Sequence, residues 1–301
     1  ELRRAILPFF SPKMMDRWEP RIRTHCRELA AEIARNGAGD AAVDYSQHIP
    51  VDAIAAILGV PPDRGEEFRR WTVDFVEVGA QDKTVQAKAA AEIAAFMQEN
   101  IESRRADPTD DLISHLVHLE LDGRPLTDDV ISRMLVLQLI AGIDTTWSSI
   151  GAALWHLATH PEDRQRLVDE PELIPTAVEE FFRAYAPVNV VRKVVAETEV
   201  DGLMIEPGDT VMMTFPIGCR DPDQFDHPDE VVIDRQQNRH MAFGLGIHRC
   251  AGSNLARLEM HIAIEEFLAV IPDFSLAPDA VVRWSEGQIR GPRTIPIVVG
   301  G

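Results

Sequence analysis

Residues 243–252 read FGLGIHRCAG: an aromatic ring, three glycines and a histidine two places before a cysteine. A dinucleotide-type phosphate cradle needs glycines at its first, third and sixth positions behind a valine-rich strand. Counted from Gly244 the sixth position is Arg249, and no such strand precedes it. A zinc site needs about four ligands, and His248 and Cys250 have no second CxxC or HxxxH pair to join. A plain turn, with Cys250 as a small buried hydrophobe, leaves the neighbouring residues without a role.

What remains is a single thiolate ligand to iron. Cys250 stands just ahead of the apolar run SNLARLEMHIAIEEFLAV, so free backbone N–H groups and the positive end of a helix are expected to stabilise its sulfur as an anion. Gly244 and Gly246 let the backbone come close to a flat macrocycle. Phe243 is placed to pack over the sulfur side, and His248 and Arg249 are donors for haem carboxylates.

The rest of the chain is compatible with such a protein. Its 301 residues can bury one large core, and 45% hydrophobic against 26% charged residues is a globular balance without wholesale disorder. Lys and Arg number 30 against 49 Asp and Glu, a net charge of -19, which excludes a nucleic-acid binder working by general electrostatic attraction. Three scattered cysteines, Cys26, Cys219 and Cys250, are too few for a disulfide framework and one short of an ordinary iron–sulfur cluster. A reducing, cytoplasmic setting is expected. The chain opens on Glu1 inside the amphipathic ELRRAILPFF, and its true N-terminus is expected to lie upstream. The run MLVLQLIAGI at 134–143 ends at Asp144, short of the ~20 residues that span a bilayer, so no internal membrane span is expected.

Proline and glycine punctuation predicts helices over 12–36, 46–58, 63–79, 83–105, 109–119, 127–160, 161–169, 172–186 and 252–270. Asp-Gly and Pro-Gly signals in EVDGLMIEPGD predict a small hairpin. Residues 216–240 read as a long irregular stretch of the kind that often serves a function, and the C-terminal tail as short strands. The expectation is a mainly α protein with small β-sheets and a single domain over 1–301, with no repeat and no linker.

FGLGIHRCAG resembles the FxxGxxxCxG haem signature of the cytochrome P450 family at Phe243, Gly246, Cys250 and Gly252, and Gly244 lies inside the same loop. Cysteine-thiolate ligation that favours O–O cleavage is the known chemistry of that family. Three further segments carry the likeness. AGIDTT at 141–146 is compatible by itself with Thr145 simply bonding back to the Ala141 carbonyl. The resemblance implies instead that the helix bulges there, that Thr145 hydrogen-bonds bound dioxygen and that Asp144 feeds protons from solvent. Glu180 and Arg183, at i and i+3, match the family's ExxR pair, with Arg235 of IDRQQNRHMAF as its third, structural member. Arg192 and Arg3 match haem-carboxylate arginines, although the histidine that accompanies the latter would precede residue 1. Arginine suits that task by its permanent charge and forked donors.

The resemblance covers the chain from end to end and implies a cytochrome P450 fold, N-terminally incomplete, holding haem b on Cys250. It implies a monooxygenase that inserts one atom of dioxygen into a small hydrophobic substrate. Leu137, Ile140, Ala141, Val188, Val190 and Ile289, all apolar, would line the substrate side, with Ala141 also against the haem. Electrons would come from a ferredoxin or flavodoxin with its reductase, because the chain has no flavin or nicotinamide fingerprint. Four arginines and one glutamate between Arg235 and His261 make the thiolate side locally basic. A peroxide-driven enzyme and a haem-binding protein without turnover are the alternatives.

Overall fold

The computed structural model describes residues 1–285 and 288–300. Helix ends fall where chain chemistry puts them. Pro12 starts a helix that runs to Asn36, and Gly37, at φ 69°, closes it with its N–H on the Ala34 carbonyl. Ser11 precedes it but gives no side-chain cap, since its hydroxyl donates to Pro8 O instead. Thr127 caps the longest helix, Asp128–Thr159, which starts with two aspartates and stops before Pro161. At 1.5 Å per residue it is about 48 Å long. Helices at Lys83–Ala106, Pro161–Asp169 and Ser253–Val270 follow the sequence expectation closely.

Other helices are shorter than expected, for local reasons. The predicted 46–58 begins at Ile49, because residues 41–46 form a π-helical turn capped by Asp40, which accepts from Ala42 N and Val43 N. The predicted 63–79 is divided into Gly65–Val73, a π-helical turn Asp74–Val78 and a short piece Gly79–Gln81. The predicted 109–119 shrinks to Leu112–Val117, with Asp111 as its cap. A 3-10 turn at Pro171–Leu173 precedes Ile174–Ala184.

The sheets are small. Ala38–Asp40 and Phe274–Leu276 flank Pro296–Val299 antiparallel, tying both ends of the chain together. Asn189–Lys193 pairs with Thr210–Thr214, and Arg283–Trp284 with Pro292–Thr294. The expected hairpin is Thr198–Val200 with Leu203–Ile205, turned through Asp201 and Gly202 at φ 49° and 79°. Between Gly218 and Gly246 the chain has no helix or strand. Residues 286 and 287 of the predicted tail lie outside the described residues.

The long helix is long and apolar enough to cross a membrane by composition, which the short run at 134–143 did not suggest. Here it is the central helix. It packs against Ile49–Leu58, Lys83–Ala106 and Ser253–Val270 and buries Asp144 and His156 along with its apolar residues. Around it lies a contiguous core with Trp71, Trp147, Phe68, Phe181, Phe267 and Phe274 at its centre. Each side chain of that kind contributes about 1.5–3 kcal/mol when fully buried, so the core can carry an unfavourable group.

Glu259 is such a group. It is buried on the last helix, its Oε1 has no hydrogen-bond partner among the described residues, and burial, with Asp52 nearby, pushes its carboxyl well above the ordinary 4.5. A raised folded-state value means that its favourable contribution is complete below about pH 4.5 and is lost as pH rises, because the unfolded chain ionises first. Glu259→Gln should therefore melt at least roughly 2 °C above the parent at pH 8 and close to it at pH 4, measured by thermal unfolding across that range.

Candidate functional site: the Cys250 loop and its supports

The Cys250 loop is built by its backbone. Gly244 and Gly246 have φ of 68° and 63°, which side chains other than glycine rarely adopt. The Cys250 N–H returns to Phe243 O at 2.7 Å, closing the loop on itself. Phe243 is clamped between the Phe182 ring, at 4.7 Å, and the Arg257 guanidinium, at 4.4 Å from its centroid. Cys26 and Cys219 are buried, whereas Cys250 is exposed. Enclosure of its sulfur raises its pKa, against the opposing Gly252 N–H and the charges of Arg3, Arg249 and Arg257. The helix-end effect read from the sequence is present but smaller than the desolvation, so the protein alone does not lower this thiol.

Two carboxylates pin the loop from behind. Glu180 and Arg183, on Ile174–Ala184, are wholly buried. All five guanidinium N–H groups of Arg183 are used: two on the Glu180 carboxylate at 2.8 Å, and one each on Cys219 O, Pro228 O and Glu230 O. Glu180 also accepts from Arg235 Nε at 3.0 Å, Asn238 Nδ2 at 3.1 Å and Val232 N at 2.8 Å. Arg235 continues to Asp226 O and His227 O. The irregular stretch, which has no ladder of its own, thus hangs on one buried ion cluster.

The second carboxylate, Glu179, was not legible in the sequence. His240 Nε2 donates to it at 3.0 Å, while His240 Nδ1 accepts from Ala242 N. Arg257 from the last helix binds Glu179 through Nε and Nη2. Burial would raise Glu179, but these two donors outweigh it and hold it at about 2. Adjacent glutamates at 179 and 180 were the available signal, though nothing in spacing points to residues 240 and 257.

The remaining predicted residues fall into groups. Arg3 donates to Arg249 O, which brings the N-terminal helix Leu2–Ile6 to the Cys250 loop. Arg192 is exposed on its strand, and its side chain donates to its neighbour Val191 O. Neither arginine has a carboxylate partner among the described residues, and His248 is exposed. Val188 and Ile289 form a β-bridge, with Val190 two residues on. On the long helix Leu137 and Ala141 are exposed, while Ile140 is half-buried. The Thr145 hydroxyl donates to Ala141 O at 2.8 Å, and the helix is continuous through this point, so the implied bulge is not formed here. Asp144 is buried and paired with Arg293 at 2.9 Å. Arg293 was also missed, since no motif marks it.

This geometry fits a flat haem held by a thiolate. There is one exposed thiol, a glycine backbone beside it, exposed apolar side chains at Leu137 and Leu245, and arginines without carboxylate partners for the haem's own carboxylates. Among the described residues no cluster of three metal-ligating side chains competes for a metal.

Comparison with known proteins gives the class. The family model described as Cytochrome P450 matches residues 77–280. The chain is 34% identical over 304 residues to mycinamicin IV hydroxylase/epoxidase of Micromonospora griseorubida, covering 99% of this chain and 76% of that protein. It superposes at TM-score 0.93 and 31% identity on the polyketide cytochrome P450 PksS of Bacillus subtilis 168, over 100% of this chain and 78% of that one. On CYP109E1 of Bacillus megaterium in complex with corticosterone the TM-score is 0.89 at 32% identity, covering 99% and 82%. The chain belongs to the cytochrome P450 family. It is a monooxygenase of the bacterial type, and its cofactor is haem b held by a cysteine thiolate.

Removing one partner of a buried, fully bonded ion pair costs about 3–5 kcal/mol. Arg183→Lys retains a charge but cannot supply five forked donors. Its unfolding free energy in urea should drop by about 3 kcal/mol or more, with poorer haem retention; a parent-like midpoint would show that the irregular stretch does not depend on Arg183.

Proposed function

We propose that Cys250 is the haem ligand and that the protein inserts one oxygen atom into a C–H bond of a moderately large lipophilic molecule. The observation that carries this is the exposed thiol of Cys250, alone among three cysteines, inside a loop with two positive-φ glycines. When bound, the haem supplies the oxidising chemistry, activating dioxygen with electrons delivered one at a time. The chain's own residues do the rest. Arg3, Arg192 and His248 hold the haem carboxylates, and Phe243, Gly244, Gly252 and Ala141 lie against the macrocycle. Thr145 has a hydroxyl that can exchange Ala141 O for a bound ligand. Asp144, next to it, is the proton store: burial raises its carboxyl above the ordinary carboxylate range while Arg293 and Ser148 oppose the rise.

Leu137, Ile140, Ala141, Val188, Val190 and Ile289 offer no side-chain hydrogen bonds, so substrate is selected by shape and apolar area. The corticosterone-bound neighbour and the mycinamicin-oxidising relative favour polycyclic or macrocyclic lipophiles. Cys26, Cys219 and Cys250 are all free, which suits the cytoplasm.

Electrons come from an acidic ferredoxin or flavodoxin and its reductase. Two of the four arginines in the locally basic stretch are committed internally, Arg235 to Glu180 and Arg257 to Glu179. Arg239 and Arg249 are exposed and without carboxylate partners among the described residues, and they form the docking charge. At low salt Arg249→Glu should slow electron transfer from a surrogate ferredoxin about tenfold, with the difference shrinking as salt is added; a rate and salt dependence equal to the parent's removes this docking face.

The decisive measurement is the absorption spectrum of the reduced carbon monoxide complex. The parent should give a strongly red-shifted Soret band that Cys250→Ser abolishes. A histidine-type spectrum in the parent overturns the assignment. Oxygen-dependent NADPH consumption with surrogate ferredoxin and its reductase separates an oxygenase from a haem carrier.

A further inference from the structure

The side of the long helix remote from Thr145 carries a polar cluster that no sequence motif announces. Consecutive helical residues point about 100° apart, and Asp144 is buried while Thr145 is only half-buried. The Asp144 carboxylate meets Arg293 Nη2 at 2.9 Å and accepts from the Ser148 hydroxyl at 3.1 Å. The same hydroxyl accepts from Arg293 Nη1 at 3.0 Å. On its other edge Arg293 Nε donates to Glu77 Oε2 at 2.7 Å. The guanidinium lies 5.6 Å from the Trp147 ring centroid. The Trp147 indole N–H is buried with no hydrogen-bond partner among the described residues, although it is close enough to Asp144 to favour its charged form.

Side-chain exposure rises along this row, from 2% at Asp144 through 14% at Arg293 to 35% at Glu77. The arrangement is tightly built. Arg293 sits on the strand Pro292–Thr294, and a Cβ on the adjoining Gly291 would lie 2.2 Å from Ser148 Cβ, so only glycine lets that strand come so close to the helix. Glu77 belongs to the π-helical turn Asp74–Val78, a distortion that often accompanies function.

We propose that Arg293 is a positioning residue for oxygen activation: it holds the Asp144 carboxylate on the side of the helix away from Thr145 and makes it a usable acid, while Glu77 fixes the guanidinium from the solvent edge. A carboxylic acid gives up its proton readily only where its conjugate base is stabilised. In a buried site a carboxylate without a cation is strongly disfavoured, so Asp144 without Arg293 keeps its proton. Because Arg293 is shared with Glu77, it can slacken its hold on Asp144 without becoming unpaired, and the free Trp147 N–H is a second donor within reach. This inference rests on Asp144 as the proton store, and the two ideas are tested separately.

The experiment uses the haem-loaded protein with surrogate ferredoxin, its reductase and NADPH, without added substrate, and follows oxygen consumption in water and in deuterium oxide. Arg293→Met should slow it about tenfold, less than the hundredfold or more lost with a group that transfers the proton itself, and should enlarge the solvent isotope effect. Arg293→Lys should recover most of the rate. The dissociation constant of imidazole, read from its Soret shift, should stay at the parent value in both. In urea at neutral pH the unfolding midpoint should fall in Arg293→Met and return towards the parent when Asp144→Asn is added, since Asn spares the site the cost of keeping a buried acid protonated. If Asp144→Asn is slow while Arg293→Met keeps the parent rate and isotope effect, Arg293 has no positioning role. Should Asp144→Asn itself turn over at the parent rate, the proton-store reading falls and this inference with it.

Discussion

A buried guanidinium is tolerable only when every donor is answered, and Arg183 meets that condition five times. Two of its bonds are made to a neighbour on its own helix and three to carbonyls of the irregular chain at Cys219, Pro228 and Glu230. Without it that chain, lacking any strand or helix between Gly218 and Gly246, would have to find its fixed course from scattered apolar contacts alone. Glu180 gathers Arg235, Asn238 and the Val232 N–H onto the same point. The cluster does no chemistry, yet the residues leading into the thiol loop are placed by it.

Placement of the thiol then becomes a matter of two successive clamps. The Glu180 cluster sets the path from Cys219 to Asn238, and Glu179 takes over with His240 and Arg257, the latter covering Phe243 from the last helix. Neighbouring glutamates on one helix therefore hold the approach to the loop from two directions. The helix that follows Cys250 adds its own N–H at Gly252, but enclosure of the sulfur outweighs it and raises the thiol.

The long helix separates two environments. Leu137 and Ala141 are exposed with half-buried Thr145 on the next turn, whereas Asp144 turns into a buried polar cluster assembled by the strand Pro292–Thr294 and a π-helical turn. The Asp144 carboxylate is thus held away from those exposed apolar side chains, in a row with Arg293 and the more exposed Glu77.

Motifs whose members are close along the chain were legible from residue types and spacing, as with FGLGIHRCAG, the Glu180–Arg183 pair and the helix ends marked by Pro12, Gly37, Thr127 and Pro161, whereas AGIDTT was read through resemblance. Local geometry determines these, because backbone torsions and i, i+3 neighbours need no tertiary contact to be inferred. Arg235 could be matched only by resemblance. The partnership of Asp144 with Arg293, 149 residues away, and of Glu179 with Arg257, 78 residues away, belonged to no pattern. Nor could spacing reveal that Arg235 and Arg257 spend their charge inside the protein, or that desolvation outweighs the helix end at Cys250. Such outcomes depend on which groups meet in the folded interior and how much water is removed around them, and only the tertiary structure decides that.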